Sequence, residues 1–210
     1  MLKKNMMTLI TTSLIILLPI AAGLILWNKL PHELPTHWNA SGEIDGYSSK
    51  PFAVFALPLI LLAIHLVCTF ATMADPKRKN INGKIFTLVL WICPILSILC
   101  GGMTYSVALD INIDVSMIII IFIGLLFVVL GNYLPKCRHN YTMGIKLPWT
   151  LANEENWNRT HRFAGPLWVV GGIITIAMSF IKNMWIFFAI VMLITIIPGI
   201  YSYILYRKSK

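Results

Sequence analysis

His32-Glu33-Leu-Pro-Thr-His37 is the first group in this 210-residue chain whose residue types and spacing could do chemistry. In His-Glu-x-x-His metalloproteases, two histidines four apart share one helical face and grip zinc. Here they stand five apart with Pro35 between them, so that geometry fails. Metal binding through His32, His37, Glu43 and Asp45 is one remaining reading, since a catalytic site needs three protein ligands. The plainer reading, adopted here, is a compact loop held by its prolines, by Gly42 and Gly46, and by Trp38. Trp38 and Tyr47 suit a membrane interface or a peptide partner equally, because both settings favour amphipathic aromatics.

A second constellation lies in the polar stretch Gly144 to Arg162, which carries Trp149, Trp157, Glu154, Glu155, Lys146, Arg159, Arg162 and His161. Either glutamate with His161 could form an acid-base pair. No nucleophile elbow, phosphate loop or metal-ligand set accompanies them, so neither an enzyme nor a cofactor is expected. The residues read better as a short interfacial helix. Asn153 or Thr150 caps it, its first turn carries the two acids as the helix dipole favours, and Glu155 pairs with Arg159 at i,i+4. Trp157 shares a face with Thr160 and His161, and the helix continues through Arg162.

His65 is the one strongly titratable side chain well inside an apolar run, with Thr69 and Thr72 on the same face. A proton relay needs an acid or a second histidine, and no apolar run supplies one. Helix-to-helix hydrogen bonding is therefore expected, the alternative being a small transporter or lipid-handling protein whose substrate passes near His65. The cysteines at 68, 93, 100 and 137 have no metal-ligand spacing. Three of them lie in apolar runs, where cysteine acts as a small hydrophobe.

The elements that must position these groups follow from hydropathy. With 58% hydrophobic and 12% charged residues, the chain falls outside the soluble range. Six runs are long enough to cross a hydrocarbon core of roughly 30 Å: Met7 to Trp27, Phe52 to Met73, Ile85 to Leu109, Val115 to Leu134, Gly165 to Ile181 and Met184 to Tyr206. The basic start Met1-Leu-Lys-Lys-Asn ahead of the first run resembles a signal peptide, but no Ala-x-Ala site follows, so the run is expected to stay as a span. Pro19 is expected to kink it. A tight turn at Lys182-Asn183 should join the last two spans. The fold class is thus an all-α membrane bundle of six helices with a short interfacial helix before the fifth span.

Small residues should mark helix contacts, because lipid tails are as apolar as leucine and association comes from close packing. Ser97, Gly101, Thr104 and Ala108 share a face in the third span. Gly124 and Gly131 do so in the fourth, and Gly165 and Gly172 in the fifth.

Orientation follows from cations. Fourteen lysines and arginines lie in the termini and the second and fourth loops, against three in the other connections. The positive-inside rule then puts both termini in the cytoplasm. The net charge of +9 reflects this bias, and no direct nucleic acid binding is expected. The chain divides into a first helical hairpin, 1–73, with an outer loop at 28–50; a second hairpin, 74–134; a cytoplasmic loop, 135–164; and a third hairpin with a basic tail, 165–210.

Two stretches carry a resemblance. Leu34-Pro-Thr-His-Trp-Asn-Ala-Ser-Gly-Glu-Ile-Asp-Gly-Tyr-Ser-Ser-Lys50, between the first two spans, resembles the outer loop of a bacterial domain of unknown function found in SdpI-like proteins. Gly131-Asn132, Gly144-Ile-Lys-Leu-Pro-Trp-Thr-Leu151, Trp157 and Thr160-His-Arg162 resemble the SdpI family itself. The family usually has Arg-Thr before Pro-Trp where this chain has Lys146-Leu147. That keeps charge but loses guanidinium geometry.

The resemblance implies a protein of a Gram-positive cell membrane that gives resistance to a secreted toxin peptide. In the signalling branch it implies a small cytoplasmic repressor held at the membrane. It implies a toxin-facing motif of Pro35, His37, Trp38, Asn39, Gly42 and Gly46. It also implies a cytoplasmic motif of Asn132, Gly144, Lys146, Pro148, Trp149, Thr150, Leu151, Trp157, Thr160, His161 and Arg162.

Overall fold

The computed structural model describes residues 2–181 and 183–209, with side chains from Asn5 onward. Lys182 of the expected turn, Met1 and Lys210 therefore lie outside the described residues. Among the described residues, six helices are long and apolar enough to cross a membrane: Asn5–Ile25, Phe52–Ala74, Gly83–Ala108, Val115–Lys136, Glu154–Ile181 and Met184–Lys208. The chain is a multi-pass membrane protein of the expected class.

Two compact units share these helices, Met1–Met73 with Phe86–Val115, and Ala74–Ile85 with Ser116–Lys210. In the first unit, the opening span is broken into α1, Leu2–Ile16, and α2, Leu18–Ile25, at the site expected from Pro19. Proline removes an N–H and its ring crowds the preceding turn, so Ile20 N–H bonds Leu17 O at 3.0 Å instead of Ile16 O. The released Ile16 carbonyl accepts from Ser97 Oγ at 2.8 Å. Ser97 belongs to α4, Gly83–Ala108. Along the same face of α4, a Cβ on Gly101 would stand 2.8 Å from Pro19 Cβ, and Tyr105 donates to Pro19 O at 2.9 Å. The small-residue face of the third span thus grips the kink of the first.

Between them, α3, Leu57–Ala74, follows a π-turn at Phe52–Ala56. The wide turn is what Pro58 requires, since its ring would clash with the Val54 carbonyl in a regular helix. The loop at 28–50 contains what its prolines and glycines had hidden, a hairpin of β1, Glu33–Trp38, and β2, Ile44–Ser49, paired antiparallel with Leu34 opposite Ser48 and Trp38 opposite Ile44. Leu34 inserts into a cluster with Leu30, Ala53, Val54 and Tyr105.

The second unit is organised by α5, Val115–Tyr133, α7, Glu154–Met178, and α8, Met184–Lys208. A Cβ on Gly172 would meet Gly124 O at 2.5 Å, and one on Gly131 would meet Gly165 O at 2.8 Å. These four glycines let α5 and α7 pack backbone to backbone. Helix α8 closes on the other side, where Trp168 donates to Ile194 O at 2.9 Å. A one-turn helix, α6, spans Pro148–Ala152.

Candidate functional site

The helix expected to start at Glu154 is not a separate short element: Glu154 to Arg162 forms the first turns of α7 without a break, and the one-turn α6 precedes it. One extended residue, Asn153, separates the two helices, and its Oδ1 accepts from Asn156 N–H at 2.9 Å. Asn153 is therefore the cap of α7. Thr150 holds the preceding turn: it is fully buried, accepts from Leu147 N–H at 2.9 Å and donates to Ile145 O at 2.8 Å.

Helical spacing then puts Trp157, Thr160 and His161 on one face, and that face is turned inward. Trp157 is 0% and His161 1% exposed. The two rings stack at 4.2 Å, and Trp157 Nε1 donates to Cys137 O at 2.8 Å. Both nitrogens of His161 are engaged. Ile145 N–H donates to Nε2 at 2.9 Å, so Nε2 carries the lone pair and Nδ1 the proton that goes to Trp157 O at 2.8 Å. This is a neutral imidazole in a fixed tautomer, with neither nitrogen facing a substrate. The Gly144 backbone passes over it at φ +112°, where any Cβ would press on the rings of Trp157 and His161.

Further ties run to α8. Trp149 Nε1 donates to Ser202 Oγ at 2.8 Å, Asn156 Nδ2 donates to Ser202 O at 2.9 Å, and Thr160 donates to Asn156 Oδ1 at 3.0 Å. Glu155 and Arg159 form the expected i,i+4 pair at 3.4 Å, both exposed. Of the remaining motif residues, Asn132, Lys146, Pro148 and Arg162 are exposed and Leu151 is half-buried.

Sequence reasoning missed the carboxylate that ties the loop after α3 to this stretch. Asp75, 3% exposed, accepts from Lys77 N–H at 2.7 Å, Tyr141 N–H at 2.8 Å and Thr142 Oγ1 at 3.0 Å. Burial pushes its carboxyl up, but the hydrogen bonds from Lys77, Tyr141 and Thr142 outweigh that and hold it below the ordinary carboxylate value. Beside it, Lys77 Nζ donates to His139 Nδ1 at 2.9 Å, and Asn80 donates to His139 O at 2.8 Å. The sequence did hold one signal, a single acid at the head of a loop of four cations.

The hairpin accounts for its own motif. Asn39 Oδ1 accepts from Ser41 N–H at 2.8 Å and Glu43 N–H at 3.0 Å, closing the turn in which Gly42 takes φ +82°. A Cβ on Gly46 would lie 2.8 Å from that of His37. Pro35 is buried, Trp38 half-buried, and His37 exposed with Nδ1 against Asp45 Oδ1. Lys50 anchors the hairpin base, donating to Trp27 O at 2.9 Å and lying over the Trp27 ring. Among the described residues, no group of three or more histidine, cysteine, aspartate or glutamate side chains is placed to hold a metal ion.

His65 is buried against α1. Thr12 Oγ1 has one proton, and Thr8 O at 2.8 Å and Leu9 O at 3.0 Å both compete for it. The His65 Nε2 contact at 3.2 Å must then be donated by the ring. That is a helix-to-helix hydrogen bond.

Residues 136–202 match the SdpI/YfhL protein family, and residues 14–62 match a domain of unknown function (DUF1648). The chain is 27% identical to the immunity protein SdpI of Bacillus subtilis (strain 168), over 98% of this chain and 97% of that protein. No solved structure matches. With six apolar helices, this similarity makes the chain a multi-pass protein of a bacterial cell membrane.

Proposed function

We propose that this SdpI-like chain is a membrane immunity protein that protects its cell from a secreted antimicrobial peptide. The observation that carries the reading is the near full-length similarity to the Bacillus subtilis immunity protein, which takes in the outer hairpin as well as the stretch around Trp157. On this reading the hairpin, with exposed His37 and half-buried Trp38 and Asn39, faces the peptide. The stretch from Gly144 to Arg162 lies in the cytoplasm, in keeping with its cations, and is the output that holds a small repressor at the membrane.

Burial divides the labour within that stretch. Trp157, Thr160 and His161 shape the fold, and a partner would touch exposed Lys146, Pro148 and Arg162. Coupling between the two sides requires the peptide to favour one arrangement of the helices, because a ligand with equal affinity for two states shifts neither. The reading involves no turnover, in keeping with a His161 whose two nitrogens are both hydrogen-bonded.

Deleting the gene and exposing the cells to culture supernatant of the parent strain tests it. Survival should fall by at least tenfold and return when the gene is restored; unchanged survival rejects immunity.

A further inference from the structure

At the common end of α7 and α8 the structure leaves a cavity of about 350 Å³ that none of the ties described above fills. Its polar lining includes Arg159, Lys208 and Ser209, with Ile204 and Leu205 forming an apolar wall and Glu155 contributing one carboxylate. Its depth can be read from its surroundings. Both apolar spans terminate here, at Glu154 and Lys208. Trp149 packs on Tyr203 and Tyr206 at 5.3 and 6.0 Å, and Phe163 stacks on Tyr201 at 4.4 Å. Amphipathic rings gathered where a span ends mark the headgroup layer.

From this geometry we propose that the cavity binds the headgroup of an anionic phospholipid, with the phosphodiester between Arg159 and Lys208 and the glycerol against Ile204 and Leu205. A guanidinium fork suits two phosphate oxygens. Basic pockets between spanning helices are the usual seats of such headgroups, and the volume falls in the range of roughly 300–1,000 Å³ typical of small-molecule sites. Glu155 does not veto the anion, because it is 77% exposed and holds Arg159 only at 3.4 Å. A phosphate can displace so loose a pair. A freely soluble phosphate would leave the apolar wall and the headgroup depth without a role.

The test uses the full chain in nanodiscs of equal phosphatidylglycerol and phosphatidylcholine, with the lipid retained on extraction counted by native mass spectrometry. The unaltered protein should retain phosphatidylglycerol preferentially. Arg159→Gln with Lys208→Gln should cut that retention roughly tenfold or more. Arg207→Gln, outside the lining, should leave it unchanged, and Glu155→Gln should raise it. Equal retention of the two lipids, or retention indifferent to the Arg159 and Lys208 pair, overturns the proposal. So does displacement by millimolar inorganic phosphate, which would assign the cavity to a soluble anion. Should the double variant fail to insert, Glu155→Gln decides alone: a gain in phosphatidylglycerol supports the site, and no change rejects it.

Discussion

Replacing Gly172 by alanine puts one methyl group where the backbone of α5 lies against α7. The new Cβ would stand 2.5 Å from Gly124 O and 2.9 Å from Val128 N. Backbone atoms cannot rotate away as a side chain does, so the helices must part. Restoring the 3.4 Å at which ordinary contact begins requires a shift of about 0.9 Å along that line. Such a gap forfeits a quarter to a half of the attraction for each atom pair it opens. It also acts on the Gly131 and Gly165 contact two turns away on the same helix pair.

Overpacking of this kind costs about 1–3 kcal/mol, and the backbone contact points to the upper half of that range. Gly199 is the internal control, since a Cβ there meets nothing within 4 Å. Alanine at that position removes the helix penalty of glycine and should be neutral or stabilising by up to about 1 kcal/mol. Unfolding of both variants by SDS in mixed micelles, followed by tryptophan fluorescence, gives the two values side by side. Gly172→Ala within about 0.5 kcal/mol of Gly199→Ala would refute the backbone contact as the source of α5 to α7 association, since that is the range of a surface change without mechanism.

Two further outcomes follow from buried polar groups. Asp75→Asn should cost about 3 kcal/mol at neutral pH, because hydrogen bonds to a charged acceptor contribute about 1.5–3 kcal/mol each and the amide turns donors toward donors. The carboxyl is held below its ordinary value, so its stabilisation is complete above the unfolded pKa of about 3.9 and is lost as pH falls through the lower folded value. Fluorescence unfolding from pH 7 to 3 should show that acid limb flattened in Asp75→Asn, and equal stability at pH 7 would sink the argument. His65→Leu should remove about 0.6–1 kcal/mol of helix association and leave resistance to the parent supernatant unchanged. Loss of resistance at unchanged stability would give His65 a functional role.

The six spans, the Pro19 break and the glycines at helix contacts were legible because each depends on a local property, such as run length, a missing N–H or a missing side chain. Which helix each glycine meets was not, since spacing of three and four marks a face without naming its partner. The hairpin at 33–49 was hidden by Pro35, Gly42 and Gly46, which read as breakers although two of them build the turn and the close strand pairing. At the candidate site, the shared face of Trp157, Thr160 and His161 followed from helical spacing alone. That this face is buried depends on Cys137, Gly144 and Ile145 folding back over it. Asp75 stayed invisible because Tyr141 and Thr142, which supply donors that bury it, lie 66 and 67 positions further on.

That separation has a consequence for biosynthesis. At about 5–20 residues per second, Tyr141 follows Asp75 out of the ribosome roughly 3 to 13 s later. In that interval the third and fourth spans must enter the bilayer, and of the donors that later surround the carboxylate only the Lys77 N–H has been made. The nascent loop therefore carries a hydrated anion among its cations while insertion proceeds. It becomes a buried acceptor only when Tyr141, about two-thirds of the way along the chain, emerges, so the lock between these loops closes after the first four spans have been made and takes no part in their insertion.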